Sequence, residues 1–284
     1  MSGVTVADAL RTAAARLAAT SDTARLDAEL LMAHALHTTR SAVLLRHMAD
    51  PVPAAFATLV DRRARHEPVA YILSQQEFYG RVFAVDPGVL IPRADSETIV
   101  EAALAVCPAP RRVLDLGTGS GALLLTVLAE TGAPEGVGLE RSADARRIAS
   151  ANAAVIAPQA RIVAGDWHQP GWADTLGRFD LILANPPYVE DGADLAPDVR
   201  GWEPAAALFA GAEGLDDYRV LVPQLPALLA PSGVAVLEIG AAQGPAVTTL
   251  AEQAGFGVTL QRDLAGRARA LVLQLTLGKG GASN

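Results

Sequence analysis

Short apolar runs alternate with helical patterns from Arg111 onward, and this alternation limits the fold more than any other feature of the sequence. Strands that are separated by helices cannot pair as hairpins, so they form a mostly parallel sheet with helices on its faces. Strands are predicted at residues 113–116, 136–140, 161–164, 181–184 and 234–239, with two closing strands near Val258 and Leu271. Helices are predicted from Ser120 and Ser142, and over residues 215–229 and 247–254. We therefore predict an α/β fold with a doubly wound, mostly parallel, seven-stranded sheet that binds ligands at the carboxyl ends of its strands.

The first part of the chain has a different pattern. Residues 1–74 look all-helical, and Thr5 with Asp8 forms a capping pair at the start of the first helix. The histidines in this part lack metal-ligand spacing, so no metal site is predicted. A small N-terminal helical domain that recognises or supports a partner is the interpretation we adopt.

Aromatic and β-branched residues surround Gly80 between residues 75 and 85, which predicts a β-hairpin. The expected domains are therefore a helical substrate-recognition domain at 1–74, a β-hairpin linker at 75–93 and the α/β domain at 94–284. A frayed, glycine-rich tail is expected at residues 278–284.

Charge and cysteine content exclude several classes of protein. The formal net charge is -8, Lys279 is the only lysine, and residues 76–284 carry 15 basic and 24 acidic residues. Such a surface does not suit direct binding to nucleic-acid phosphates. A single cysteine, Cys107, excludes internal disulfides. The sequence has no signal pattern and no apolar run that would span a bilayer, so we expect a cytoplasmic protein without a membrane partner.

The strand at residues 181–184 stops at Asn185-Pro186-Pro187-Tyr188. Each proline fixes φ and has no backbone N–H, so the strand cannot continue and the carbonyl oxygens of the turn lack ladder partners. The Asn185 side-chain oxygen and the Asn185 and Pro186 carbonyls form a rigid set of acceptors beside the Tyr188 ring. Such a set suits a planar NH2 group, which offers two donors in one plane and a face for stacking. A plain proline turn is the alternative.

Three neighbouring strands end in groups that suit a nucleoside. A turn with Gly117, Gly119 and Gly121 opens a helix, so a ligand can approach the backbone and the unpaired N–H groups of that helix. Glu140 ends the next strand and can accept hydrogen bonds from both ribose hydroxyls. The Trp167 ring follows the third strand and can hold an adenine. The glycine spacing fits neither the dinucleotide fingerprint nor the P-loop.

These residues together resemble the class I S-adenosylmethionine-dependent methyltransferases that act on planar NH2 groups. Further segments resemble the release factor glutamine methyltransferases, the PrmC/HemK family, over nearly the whole chain: residues 67–72, 77–80, 92–97, 203–204 with 214–219, 238–240 with 243–244, and 263–266. Three positions depart from the usual pattern of that family. Position 140 is Glu rather than Asp, and Ala94 and Ser96 replace the commoner Pro and Thr.

The resemblance implies roles for individual residues. The implied cofactor, S-adenosyl-L-methionine, would be held by Gly117, Thr118, Gly119, Ser120 and Gly121 at its methionine part, by Glu140 at its ribose and by Trp167 at its adenine, with Asn185 also in contact. Asn185 and Pro186 would hold the substrate amide, Pro187 and Tyr188 would complete its site, and Asn185, Pro186 and Tyr188 would be the catalytic set. The implied substrate is the glutamine of the Gly-Gly-Gln motif in class I peptide chain release factors, and the cofactor product is S-adenosyl-L-homocysteine. No metal is required.

Three other functions stay open at this point. Exocyclic amines of nucleic-acid bases are equally planar, although the acidic charge disfavours a nucleic-acid methyltransferase. A glutamine methyltransferase of a ribosomal protein is closer, and only the resemblance separates it from the release-factor enzymes. A non-catalytic cofactor-binding module is the third alternative, against which the intact Asn185–Tyr188 turn and glycine turn both argue.

The segment after the catalytic turn is strongly acidic. Between Glu190 and Asp217 the carboxylates outnumber a single base, Arg200. Because this loop leaves directly from Tyr188, we expect it to border the pocket. The implied substrate loop works beside ribosomal RNA and is expected to be basic, so an acidic rim would attract it and repel nucleic acid.

Overall fold

A computed structural model describes residues 4–276 of the chain. They form two compact units, one of residues up to 76 together with 195–203, and the other of residues 77–194 and 204 onward. The predicted glycine-rich tail lies outside the described residues. Within the described range, no helix combines the length and the apolar character that crossing a membrane requires.

The first unit is helical, as predicted. Its N-terminal helices are α1 (Val6–Leu17), α2 (Ala24–Ala35), α3 (Arg40–Arg46), α4 (Ala55–Arg63) and α5 (Val69–Leu73). Leu10, Leu31 and Phe56 are among the apolar side chains buried between them. The Asp8 N–H donates to Thr5 Oγ1 at 3.3 Å, which confirms the capping pair at the start of α1.

The hairpin is also as predicted. β1 (Gln75–Phe78) and β2 (Arg81–Ala84) pair through a two-residue turn. Tyr79 and Gly80 both have positive φ, 51° and 70°, as the favoured two-residue hairpin turn requires. The turn brings the Phe78 and Phe83 rings together edge to face, with ring centroids 6.1 Å apart.

Seven strands form the sheet of the second unit. They are β3 (Arg112–Leu116), β4 (Glu135–Glu140), β5 (Ala160–Ala164), β6 (Phe179–Ala184), β7 (Leu229–Glu238), β8 (Phe256–Arg262) and β9 (Ala268–Leu275). Their order across the sheet is β5-β4-β3-β6-β7-β9-β8. All run parallel except β9, which is antiparallel to both β7 and β8. This is the mostly parallel sheet that the alternation predicts.

Both faces of the central strands are buried, which explains their nearly continuous apolar sequences. Along β3, Leu114 and Leu116 pack into one apolar cluster and Val113 into the cluster on the opposite face. The register aligns the strand ends: Leu116 lies opposite both Leu139 and Ala184. The residues that follow β3, β4 and β6 therefore meet at one edge of the sheet.

The remaining helices are α6 (Glu97–Val106), α7 (Ala122–Thr131), α8 (Ala143–Ile156), α9 (Pro197–Trp202), α10 (Asp216–Leu221), α11 (Leu225–Leu228) and α12 (Gly244–Gln253). The prediction of one helix over 215–229 is wrong, because a 3₁₀ turn at Val222–Gln224 separates α10 from α11. Pro223 and Pro226 lack the N–H groups that a continuous helix needs. The chain enters β7 at Leu229, five residues before the predicted start at 234.

The helical unit contains a buried ion pair that also involves α9. Arg63 Nε donates to Asp27 Oδ2 at 2.6 Å, and both side chains are less than a tenth exposed. Asp198 of α9 approaches the same guanidinium at 3.7 Å. One carboxylate of the acidic segment is therefore committed to an arginine inside this unit.

Candidate active site

A pocket opens where β3, β4, β5 and β6 end. It contains about 1110 Å³ of empty space, including its open mouth, which is room for a nucleoside with an attached side chain. Apolar residues of the hairpin and of the segment that follows it, among them Phe78, Val89 and Ile91, line the pocket beside the polar strand ends. This is the ligand edge expected of a doubly wound sheet.

The glycine turn after β3 forms the floor of the pocket. Gly117, Gly119 and Gly121 have φ values of 75°, 55° and 86°, a region that favours glycine. A Cβ on Gly117 would lie 3.1 Å from the Trp167 ring, so a side chain there would crowd the wall of the pocket. Gly121 does not line the pocket. It caps the N-terminus of α7 instead.

Glu140 ends β4 and points its carboxylate into the pocket wall. Its Oε2 accepts from the Gly119 N–H at 3.0 Å, and its Oε1 accepts from the Ser142 N–H at 2.8 Å. These bonds fix the carboxylate against the glycine turn and use one acceptor site on each oxygen. Because an ionised carboxylate has about four acceptor sites, Glu140 can still accept from two ligand hydroxyls.

Asp115 is a site residue to which the sequence assigned no role. It lines the pocket although its side chain is only 1% exposed, and its Oδ2 accepts from Thr118 Oγ1 at 2.6 Å. Its Oδ1 is buried without a hydrogen-bond partner among residues 4–276. Burial raises the pKa of Asp115 to about 7; the Thr118 hydroxyl and the Leu124 backbone N–H oppose the shift, and the negative charge of Glu140 adds to it. A cationic ligand group close to this carboxylate would favour its charged form.

Trp167 is held by residues far along the chain. Its indole Nε1 donates to Asp217 Oδ1 at 2.9 Å, and His168 Nε2 lies 2.9 Å from the same oxygen. Gln224 Nε2 donates to the Trp167 carbonyl at 3.2 Å. Because Asp217 accepts from the indole N–H, the part of the Trp167 ring that lines the pocket is apolar and suits a stacked planar base.

The turn after β6 places Asn185 and Pro187 in the pocket wall. Within the described residues the Asn185 side chain makes no hydrogen bond to the protein, so its amide is available to a ligand. Pro186 is buried and does not line the pocket. Tyr188 also lies outside the lining, and its hydroxyl donates to Glu238 Oε1 at 3.2 Å.

Most of the predicted site residues meet in this pocket. Those that line it are Gly117, Thr118, Gly119, Ser120, Glu140, Trp167, Asn185 and Pro187. Their individual roles stay predictions. The structure adds Asp115 and the segment 88–93 to the predicted site. In the sequence, Asp115 is the carboxylate that opens the 115–121 stretch of the methyltransferase resemblance, but it has no predicted role of its own.

Several carboxylates of the acidic segment are occupied. Asp217 is buried against Trp167, and Glu213 and Asp216 both pair with Arg219. The exposed acids nearest the catalytic turn are Glu190, Asp191 and Asp194. The acidic rim expected from the sequence therefore contains fewer exposed carboxylates than the number of acidic residues in the segment indicates.

The sheet order, the glycine turn and the acid at the end of β4 define the methyltransferase class of α/β fold. A solved methyltransferase from Pyrococcus furiosus shares this fold with a TM-score of 0.54 and 17% identity, over 75% of this chain and 98% of that one. The PrmC N-terminal domain family matches residues 8–73, and a methyltransferase domain family matches residues 93–186.

Similarity to curated proteins extends along almost the whole chain. The release factor glutamine methyltransferase of Cereibacter sphaeroides is 43% identical over 95% of this chain and 98% of its own length. That of Rhodospirillum rubrum is 41% identical over 87% of this chain and 78% of its own length. The chain belongs to the release factor glutamine methyltransferase family.

Proposed function

We propose that this protein transfers a methyl group from S-adenosyl-L-methionine to the side-chain amide nitrogen of the glutamine in the Gly-Gly-Gln motif of class I peptide chain release factors. One observation carries the proposal. The Asn185 amide, which has no hydrogen-bond partner among residues 4–276, shares a pocket with the glycine turn and Glu140. An acceptor for a planar amide therefore lies beside groups that suit a nucleoside, and the relatives, which are named release factor glutamine methyltransferases, support a release factor glutamine as the substrate.

The pocket residues fit the cofactor group by group. The unpaired Oδ1 of Asp115 suits the ammonium of its methionine part, Glu140 suits the ribose hydroxyls, and the Trp167 wall suits the adenine. When bound, S-adenosylmethionine supplies a methyl group already activated by its sulfonium. The residues of the chain have to bind the cofactor and the substrate, orient them and exclude water.

The chemical task of the protein is to align a weak nucleophile. The lone pair of an amide nitrogen is delocalised into its carbonyl, so attack needs a fixed in-line geometry and acceptors for the N–H groups as positive charge builds on nitrogen. The Asn185 side-chain oxygen, in the pocket wall, provides such an acceptor. Pro186 and Pro187 keep the turn rigid because their φ angles are fixed. As the N–CH3 bond would form, the S–CH3 bond would break to leave neutral S-adenosylhomocysteine, and the methylated nitrogen would release one proton to solvent.

A methyl-transfer assay tests the proposed function. Purified enzyme with tritiated S-adenosylmethionine is offered release factor, a release factor whose motif glutamine is replaced by alanine, ribosomal protein and total RNA. We expect label only in the intact release factor, on the motif glutamine. Label in RNA or ribosomal protein, with none in release factor, would refute the substrate assignment.

The titration of Asp115 predicts how cofactor affinity depends on pH. Its carboxyl is protonated below its raised pKa of about 7 and charged above it. An ammonium bound at Oδ1 favours the charged form, so we expect affinity for S-adenosylhomocysteine to increase from about pH 6 to about pH 8 and then level off. Calorimetry of wild type and Asp115→Asn measures this. The ligand ammonium titrates in both proteins, so only the difference between them reports Asp115, and identical pH profiles would contradict the assignment.

The exposed acids after the catalytic turn predict a salt-dependent interaction with the protein substrate. Neutralising Glu190, Asp191 and Asp194 together is expected to raise KM for intact release factor on the order of tenfold at low salt and to flatten its salt dependence, because steering by surface charge is screened by ions. A matched triple variant neutralises the exposed Asp22, Glu101 and Glu252 instead. Equal KM shifts in both triple variants would mean that only net charge matters.

A further inference from the structure

Gln243 ties three separate segments together behind the catalytic turn. Its Nε2 donates to the Tyr188 carbonyl at 3.0 Å and to the Gly214 carbonyl at 3.0 Å. Its Oε1 accepts from the Gly240 N–H at 3.0 Å. Both N–H groups and the oxygen of the amide are thus used, on the turn, on the segment before α10 and on the residues after β7.

The packing around this amide leaves no room for a side chain on Gly214 or Gly240. A Cβ on Gly214, whose φ is 65°, would overlap the Tyr188 carbonyl oxygen, and a Cβ on Gly240 would lie 2.8 Å from Gln243 Oε1. Glycine at 214 and at 240 allows the three backbones to approach a single side chain. The close approach of the Tyr188 carbonyl explains the glycine at 214, and that of Gln243 Oε1 explains the glycine at 240.

Tyr188 is fixed at its other end by a buried carboxylate. Its hydroxyl donates to Glu238 Oε1 at 3.2 Å, and Glu238 is only 1% exposed. The Tyr218 hydroxyl donates to the Glu238 carbonyl at 2.7 Å, which holds this residue of β7 in place. The carbonyl and the hydroxyl of Tyr188 are therefore both bonded to residues at or just after the end of β7.

These contacts determine where Asn185 can be. The turn has a fixed start, because Ala184 is paired with β3 and β7, and a fixed end at Tyr188. Pro186 and Pro187 have fixed φ angles, so few backbone torsions remain free between the two ends. A change at the Tyr188 carbonyl is transmitted to the Asn185 acceptors, because little else in the turn can absorb it.

We propose that Gln243 is a positioning residue for methyl transfer, which holds the Tyr188 carbonyl so that Asn185 faces the substrate amide. The inference rests on the proposed function, since it concerns the alignment of a glutamine amide. Gln243 does not line the pocket, so it acts through the turn. Its loss therefore lowers kcat far more than cofactor affinity, because Asn185 is only one of several groups that would contact the cofactor.

A second glutamine offers a matched comparison on the cofactor side. Gln224 Nε2 donates to the Trp167 and Val220 carbonyls at 3.2 and 2.7 Å, and its Oε1 accepts from Trp172 Nε1 at 2.6 Å. Gln224 thus makes the same kind of three-way link, but to the wall that suits adenine. The same substitution at the two positions is expected to impair different steps.

The experiment replaces each glutamine with glutamate, which keeps the acceptor oxygen and the size but removes the NH2 donors. Gln243→Glu, Gln224→Glu and an exposed control on α12, Gln253→Glu, are compared with wild type on a peptide that contains the Gly-Gly-Gln motif. We measure kcat and KM, calorimetric affinity for S-adenosylhomocysteine, and the urea midpoint of unfolding. Gln243→Met is a second variant of similar length in case the glutamate prevents folding.

Gln243→Glu and Gln243→Met are expected to lower kcat about tenfold to a hundredfold, the scale of a displacement of about 1 Å in an aligned site. Their affinity for S-adenosylhomocysteine should stay within about twofold of the control, whereas Gln224→Glu should lose affinity for it. A kcat near that of Gln253→Glu, or parallel losses of kcat and cofactor affinity in the Gln243 variants, would overturn the positioning role. If the wild-type enzyme methylates neither the peptide nor intact release factor, the proposed function is refuted instead.

Discussion

Replacing Asn185 with alanine is expected to lower kcat at least about a hundredfold, the largest effect that the structure predicts for a single side chain. The Asn185 amide lines the pocket. In the part of the chain that the structure covers, it has no hydrogen-bond partner. Its oxygen accepts an N–H of the substrate amide most strongly when positive charge develops on nitrogen. An interaction that strengthens in the transition state lowers kcat when it is lost.

A graded pair of variants distinguishes position from chemistry at this residue. Asn185→Gln keeps the amide but adds one methylene, so its oxygen is displaced by more than 1 Å and kcat is expected to fall almost as far as with alanine. Affinity for the substrate peptide should change less than kcat in both variants, because the ground state gains less from the acceptor. Turnover near the wild-type value in folded Asn185→Ala would mean that other groups hold the amide.

The sequence was sufficient to predict the architecture because each strand carries its own signal. Buried parallel strands are short apolar runs, and the turns that follow β3 and β6 are marked by glycine and proline. The failed helix at 215–229 shows the limit of periodicity. Pro223 and Pro226 divide a sequence whose apolar spacing alone looks helical.

The site was predicted less completely, because part of it depends on contacts between distant residues. Asp217 belongs to the acidic segment that predicts a rim around the pocket, but it is buried against Trp167, 50 residues earlier. Gln243 lies 55 residues after Tyr188, and no local pattern indicates that its side chain reaches the Tyr188 carbonyl. The raised pKa of Asp115 likewise follows from burial in the folded protein and from nearby Glu140.

The second large effect concerns Glu140. Replacing it with alanine is expected to weaken binding of S-adenosylhomocysteine by about 1.5–3 kcal/mol, the scale of hydrogen bonds to a charged group, which corresponds to roughly tenfold to 150-fold in Kd. The substitution has two consequences, however. It removes the acceptor for the ribose, and it frees the Gly119 and Ser142 N–H groups that Glu140 now holds.

A ligand comparison separates these two consequences. Wild type and Glu140→Ala are each titrated with S-adenosylhomocysteine and with its 2′-deoxy analogue, which lacks one hydroxyl. If Glu140 accepts from the ribose, wild type prefers the intact ligand and the variant loses most of that preference; a loosened glycine turn would weaken both ligands equally and leave the preference unchanged. Glu135→Ala, at the opposite end of β4 and paired with Arg112 at 2.7 Å, is the matched control and is expected to bind both ligands like wild type. A Glu140→Ala protein that still discriminates between the two ligands as wild type does would assign the ribose to another residue.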